Sequence, residues 1–378
     1  MRHIAYAGVS GAWTANFIVT TMSEAEVLFE VCDGLGLITL NRPRAINALN
    51  HSMTLAITEA LRTWAADPAI RTVAIIGAGE RGLCAGGDIV AIHRDAKAIS
   101  DGGPAAPAPL QTATAAFWRD EYLLNDLIGS YPKPYVAIMD GIVMGGGVGL
   151  SAHGSHRIVT ERSQIGMPET GIGFVPDVGG TYLLSHTPGE LGTHVALTAA
   201  RMGAGDAIAV GFADTFVPSA DLPALLDALR TTPADEAVAG FATPAPESEL
   251  AAQRDWIDAC YAADTVEEIV AALRAADSPE ATKAAEDLLA KSPVAVKATL
   301  RALRDARTLP SLAAALTVEF RITVAALSTH DLAEGIRAQV IDKDRAPRWS
   351  PATLAEVTTA QVDAYFAPLG AGELGLPA

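Results

Sequence analysis

With 378 residues, half of them hydrophobic, and a mean hydropathy of +0.25, the chain can bury a full core and exceeds one compact unit. A net charge of −17, from 27 basic and 44 acidic residues without a long Lys/Arg cluster, argues against nucleic acid as a partner, and no apolar run reaches the length of a bilayer span. Three widely spaced cysteines (Cys32, Cys84 and Cys260) form neither a disulfide framework nor metal-ligand spacing, so a reducing cytoplasm and no metal are expected.

Residues 1–25 read as a loose extension. Arg2 and His3 precede a mildly apolar stretch that Gly8, Gly11, Thr14 and Asn16 interrupt, and no small-residue cleavage site follows. Strands are predicted over 27–31 and 35–40, flanking the hairpin signal Cys32-Asp33-Gly34. Pro43 keeps 41–50 a loop. Asn50 or Ser52 can cap a helix running to Ala66, which Asp67-Pro68 ends, and 71–77 is a short β-rich run. Residues 93–111, with Asp101-Gly102-Gly103-Pro104 and an APAP run, lack periodicity and read as a mobile loop, either a lid or a surface insert. A helix follows over 112–128. A strand from Tyr135 then leads to a glycine triplet, and further strands are predicted over 157–160 and 164–167.

Beyond Pro188 the pattern is helical: 190–200, 205–210, 222–230, 248–262, 266–275, 279–291, 293–307, 311–327 and 331–341, with one strand candidate over 213–217. Residues 231–247, with Pro233, Pro244 and Pro246, read as a linker. It would join an α/β core over 26–230 to a helical region over 248–378.

The segment from Met144 to Gly180 concentrates the chemistry. Gly145-Gly146-Gly147 interrupts an apolar run just before a helix start, where free N–H groups suit a negative oxygen; alone, such a triplet equally marks a tight packing turn. A second glycine turn, Ala85-Gly86-Gly87-Asp88, follows the strand over 71–77. Glu169 and Asp177 lie in apolar turns, where a carboxylate is costly without a task or a partner. Asp177 also stands where an N-cap would, and Glu121 lies on a helix that could as well present it to solvent. No G-x-S-x-G elbow is present, so His153 and His156 read as packing residues.

Together CAGGDI (84–89), MGGGVGL (144–150) and MPET…PDVGG (167–180) resemble the enoyl-CoA hydratase/isomerase (crotonase) superfamily. Within it they are similar to the 3-hydroxyisobutyryl-CoA hydrolase branch. NRPRAINALN (41–50) and IDKDRAPRWSPATLAEV (341–357) match near the two ends, so the likeness runs from Glu26 to about Phe366. The resemblance implies an α/β fold, a crotonase-type ββα superhelix followed by a helical C-terminal region, and an acyl-CoA thioester as substrate. It implies Gly87 and Gly146 as oxyanion-hole N–H donors, Glu169 as base or nucleophile, and Asp177 as a second catalytic or hydroxyl-binding group. Glu121, Ala85, Asp88, Ile89, Arg42 and Ala45 match substrate contacts, and Arg94 or Lys97 could replace a family lysine that is Val90 here.

Hydratases of the superfamily carry a first catalytic Glu just after the triplet; the matching residue here is Gly149, while Asp177 stands where they commonly have Gly. The implied reaction is therefore hydrolysis of a short 3-hydroxyacyl-CoA, first of all 3-hydroxyisobutyryl-CoA in valine breakdown. CoA would enter as part of the substrate and no separate cofactor would be needed. A hydratase or isomerase on the same fold and an inactive CoA-binding protein are the alternatives. Neither nucleic acid nor membrane is an expected partner, and a homo-oligomer is left open.

Overall fold

The computed structural model describes residues 25–102 and 106–377, so the expected extension over 1–25 lies outside the described residues but for Ala25. The fold opens with a hairpin of β1 (Val27–Cys32) and β2 (Leu35–Leu40). Cys32 pairs with Leu35, so Asp33-Gly34 alone forms the loop, at φ +50° and +111°. These left-handed angles match the twist of the flanking strands, and Asp-Gly adopts them readily. Of the two candidate caps for α1 (His51–Ala66), Asn50 acts: its Oδ1 accepts the Met53 N–H at 3.0 Å. The helix buries Met53, Ile57, Leu61 and Trp64, one stripe at helical spacing.

The remaining strands are β3 (Thr72–Gly77), β4 (Tyr135–Met139), β5 (Ile142–Met144), β6 (His156–Val159), β7 (Gln164–Gly166), β8 (Arg201–Met202) and β9 (Thr215–Phe216). One sheet has the order β1-β2-β3-β4-β6-β9 and is parallel from β2 onward; the other has the order β5-β7-β8. Isolated bridges Leu49↔Gly87 and Cys84↔Val143 extend the second sheet. Each turn of the chain thus lays one segment in each sheet before helices close it. Those helices are α1, then α2 (Ile89–Ser100) with α3 (Ala113–Gly129), α4 (Gly146–Ser151) and α5 (Gly180–Ser185). This is a ββα superhelix, and it stacks the glycine turns before α2 and α4 side by side.

Three expectations need correction. Much of the loop expected over 93–111 is helical. In α2, Ile92 and Ala96 are buried, at the i, i+4 spacing of a helix face, while the Gly and Pro residues that suggested a loop lie only beyond Ser100. The linker expected over 231–247 contains the helix Ala234–Phe241. Its Ala234, Ala237 and Val238 pack with Val217, Leu222 and Leu225 against the face of the first sheet that carries Ala74, Val136 and Ile158. Pro233 is the N-cap of that helix and not a break. The predicted single helix over 248–262 is two, Glu249–Ala252 and Arg254–Tyr261.

In the C-terminal region, helix Leu312–Ala326 packs on α3, and helix His330–Ile336 packs across α2 and the turn after Glu169. The latter continues as one π-helical turn, Arg337–Ile341. No single helix among the described residues is long and apolar enough to cross a membrane.

Candidate active site

The two glycine turns meet over one cavity of about 380 Å³. Gly86 reaches it at φ +108° and Gly145 at φ +48°, conformations that favour glycine. Each position of the triplet is constrained separately. A Cβ on Gly145 would lie 3.0 Å from Glu169 Oε1, one on Gly146 2.5 Å from Glu121 Oε1, and one on Gly147 2.5 Å from the Cys84 carbonyl oxygen. The N–H groups of Gly87 and Gly146 enter none of the hydrogen bonds of the surrounding turns. They are near neighbours, since the Gly87 nitrogen lies 3.4 Å from where a Gly146 Cβ would stand.

Three buried carboxylates line the same cavity: Glu121 from α3, Glu169 at the start of the 3-10 turn Glu169–Ile172, and Asp177 ahead of α5. Glu169 is placed by one local and one remote bond: its carbonyl accepts the Phe174 N–H at 3.0 Å, and the carbonyl of Thr170 accepts the N–H of the sequence-distant Ser292 at 3.3 Å. Asp177 Oδ2 accepts the Tyr122 hydroxyl at 2.7 Å. Trp118 and Phe174, stacked with centroids 5.3 Å apart, form an apolar wall. Among the described residues, Glu121 Oε1, Glu169 Oε2 and both amide atoms of Asn125 have no hydrogen-bond partner. Of these residues Glu121 and Glu169 line the cavity, and two unpartnered carboxylate oxygens there suit a polar ligand.

Burial dominates the electrostatics. It pushes Glu169 well above the usual carboxylate range, with the neighbouring Asp177 charge adding to the effect. Glu121 is raised well above that range by the same two causes. Burial raises Asp177 to about 7, although the Tyr122 hydrogen bond pulls it down. Between about pH 4 and pH 7 the folded chain therefore holds protons that the unfolded chain has released. Stability then falls as pH rises through that window. The urea midpoint should fall less steeply with pH in an Asp177→Asn variant than in the wild type, since the variant lacks that proton. Identical slopes would show that Asp177 is not raised.

The structure brings together most of the residues singled out in the sequence. Ala85, Gly87, Ile89, Glu121, Gly146, Glu169 and Asp177 all line the cavity. Arg42, Ala45 and Asp88 do not: Arg42 pairs with Glu26 at 3.0 Å and with Asp88 at 3.2 Å, and Ala45 is exposed. Lys97 pairs with Asp101 on an exposed face. Glu121 is buried, not on a solvated face. The side chain of Asp177 does not cap α5. His153 is a packing residue: its ring donates from Nε2 to the Val178 carbonyl at 2.7 Å, and burial lowers its pKa to about 4.

Tyr122, Asn125 and Glu319 were not singled out in the sequence. Glu319 had a signal, as the one acidic residue in the apolar helix Leu312–Ala326. Gly149, at the position of the hydratase Glu, is walled in. A Cβ there would lie 2.7 Å from both Asn125 Nδ2 and Val178 Cβ. Gly149→Ala should cost about 1–3 kcal/mol through overpacking, read as a lower urea midpoint. An unchanged midpoint would mean that the site has room for a side chain.

A family model described as enoyl-CoA hydratase/isomerase matches residues 35–366. The chain belongs to that family. The "3-hydroxyisobutyryl-CoA hydrolase, mitochondrial" of Gallus gallus is 42% identical over 94% of this chain and 92% of its own length. The protein of the same name from Homo sapiens is 39% identical over 94% and 92%. Two solved structures share the fold at TM-score 0.85. A carnitinyl-CoA dehydratase from Mycobacterium thermoresistibile is 52% identical, covering 91% of this chain and 97% of its own. An enoyl-CoA hydratase from Rhodobacter sphaeroides is 45% identical, covering 93% and 100%. The superhelix with its helical C-terminal region is therefore the fold of the enoyl-CoA hydratase/isomerase family.

Proposed function

We propose that the protein hydrolyses a short 3-hydroxyacyl-CoA thioester, first of all 3-hydroxyisobutyryl-CoA, to the free acid and CoA in valine breakdown. The observation that carries this reading is Gly149, walled by Asn125 and Val178, which leaves no space for the first carboxylate of a hydratase. The vertebrate relatives at about 40% identity bear the name of this hydrolase.

In this reading the thioester oxygen sits at the N–H groups of Gly87 and Gly146. As charge builds on that oxygen, each donor strengthens its bond, which lowers the barrier. Glu169 takes a proton from the attacking water while the new C–O bond forms. Collapse breaks the C–S bond, and the proton passes to the departing thiolate. Alternatively the Glu169 carboxylate attacks first, and water cleaves the resulting mixed anhydride. Trapping an acyl-enzyme with hydroxylamine during turnover separates the two routes. Asp177, held by Tyr122, accepts the substrate hydroxyl. Glu121, Ala85 and Ile89 line the acyl and thioester end. CoA arrives with the substrate, and no other cofactor is required. The compartment is a reducing one: Cys32, Cys84 and Cys260 are unpaired, and the vertebrate relatives are named as mitochondrial, so cytosol and mitochondrial matrix both fit.

The test is release of free thiol from 3-hydroxyisobutyryl-CoA, isobutyryl-CoA and crotonyl-CoA. Thiol release fastest from the hydroxy ester is expected. Loss of the enoyl absorbance of crotonyl-CoA without thiol would sink the reading. It would favour hydration or dehydration, to which Glu121, whose Oε1 lies against Gly146 while Glu169 Oε1 lies against Gly145, could contribute a second carboxylate. Asp177→Asn should lower the kcat/KM ratio of 3-hydroxyisobutyryl-CoA to isobutyryl-CoA about tenfold, the equivalent of losing one buried hydrogen bond. A constant ratio would place Asp177 on the water rather than the substrate.

A further inference from the structure

The catalytic turn is held by a residue 142 positions downstream of Asp177 in the chain. Glu319, on helix Leu312–Ala326, is fully buried. Its Oε2 accepts the Gly179 N–H at 2.6 Å, and its Oε1 accepts the Thr181 N–H at 2.9 Å together with the Thr181 hydroxyl. These are free donors at the start of α5, whose own N-cap, Gly179, has no side chain to satisfy them. A carboxylate is the acceptor best suited to that end of a helix.

The segment so anchored begins two residues after Asp177. Val178 and Gly179 follow it at φ +54° and +80°, a left-handed pair that is costly for valine. The turn is gripped from two sides, by Glu319 at Gly179 and Thr181, and by His153 at the Val178 carbonyl. Tyr122 reaches the Asp177 carboxylate itself. The ring of Tyr122 also meets Phe320, the neighbour of Glu319, edge-on with centroids 6.1 Å apart. Helix Leu312–Ala326 therefore touches both supports of Asp177, the turn that carries it and the tyrosine that orients it. The titratable groups around Glu319 are Asp177, Glu169 and Tyr122.

We propose that Glu319 is a positioning residue for the reaction: it fixes the 177–181 turn from the helical C-terminal region so that the Asp177 carboxylate meets the substrate hydroxyl. The proposal rests on the hydrolase reading and adds to it a residue outside the α/β core. Glu319 does not touch the substrate; it acts through Asp177. Burial raises its own pKa to about 8 against the three hydrogen bonds that lower it. Both oxygens of its side chain are used as acceptors, a demand that glutamine, with one acceptor oxygen, does not meet.

The experiment is a double-mutant cycle of Glu319→Gln and Asp177→Asn, read on kcat and KM for 3-hydroxyisobutyryl-CoA. The amide of Gln turns an NH₂ group toward a backbone N–H and releases one side of the turn. A displaced Asp177 carboxylate loses at most the contribution that Asp177→Asn removes, about tenfold, so Glu319→Gln should lower kcat by that order or less with little change in KM. The double variant should be no slower than Asp177→Asn alone, because both changes remove the same contribution. Thr181→Val, which deletes one bond to Glu319, should give a smaller loss in the same direction. Losses that multiply in the double variant, or a folded Glu319→Gln enzyme with the kcat of the wild type, would overturn the proposal. If the wild type releases no thiol, the hydrolase reading falls by itself. The cycle is then read by calorimetric binding of 3-hydroxyisobutyryl-CoA against isobutyryl-CoA. There, non-additive loss of the hydroxyl preference sustains the positioning role, and additive loss overturns it.

Discussion

Glu169→Gln is expected to reduce thiol release by about 10³-fold or more while leaving the protein folded and able to bind CoA. A positioned general base typically contributes 10²–10⁴-fold, and the amide keeps the shape while removing the basic oxygen. The direction of the stability change is part of the prediction. Burial pushes the pKa of Glu169 well above the usual carboxylate range, so its ionised form is costly in the fold. A neutral amide avoids that cost, and the variant should unfold at an equal or higher urea concentration than the wild type at pH 8. An enzyme that loses activity as it gains stability has not lost activity by misfolding. Retention of most of the turnover would remove Glu169 from the chemistry.

The second large effect is expected at Gly87 and Gly146, the N–H donors proposed as an oxyanion hole, and the structure selects the position at which to test it. Gly146 looks equivalent to Gly87 in sequence, but a Cβ at Gly146 would meet Glu121 Oε1 at 2.5 Å. Any substitution there moves a carboxylate as well as a donor. At Gly87 a Cβ would meet the Phe117 ring at 3.4 Å and Ile92 Cδ1 at 4.0 Å, ordinary contacts. Gly87→Ala keeps the N–H and should stay within about threefold of the wild type, since a surface of this kind tolerates one methyl. Gly87→Pro removes the N–H, and the glycine before it, at φ +108°, has no Cβ for the ring to meet. Loss of one oxyanion donor costs about 10²–10³ in kcat. The expected result is that loss for Pro, with near-normal Ala and a KM little changed in both. If Ala and Pro fall equally, the cavity is sensitive to volume at this point and the N–H is not a donor.

Much of the architecture was legible from local signals. The Asp33-Gly34 hairpin, the Asn50 cap, the Asp67-Pro68 stop and the buried run over 72–77 are each fixed within a few residues, by turn geometry, side-chain capping or apolar pattern. The expected loop over 93–111 and the linker over 231–247 failed for one shared reason. Proline and glycine signal breaks more strongly than short apolar spacing signals a helix, yet Pro233 begins a helix, and α2 runs to Ser100, ahead of Gly102. Both helices are held by tertiary burial of small apolar faces, Ile92 with Ala96 and Ala237 with Val238, which residue type alone does not announce.

By itself the sequence determined the strand-hairpin-helix-strand order over 27–77, the two glycine turns and the placing of Glu169 and Asp177 in apolar turns. All of these are local consequences of backbone freedom and of the cost of burying charge. Only the tertiary structure decided which groups face one another. It put Glu121 inside, on the cavity, and left Arg42 outside, paired with Asp88. It closed the space at Gly149 with Asn125 and Val178. It also set Glu319 against the N–H groups of Gly179 and Thr181 from a helix remote in sequence. Those outcomes depend on how superhelical turns stack and where a distant helix lands, and contacts over such separations leave no spacing in the chain to read.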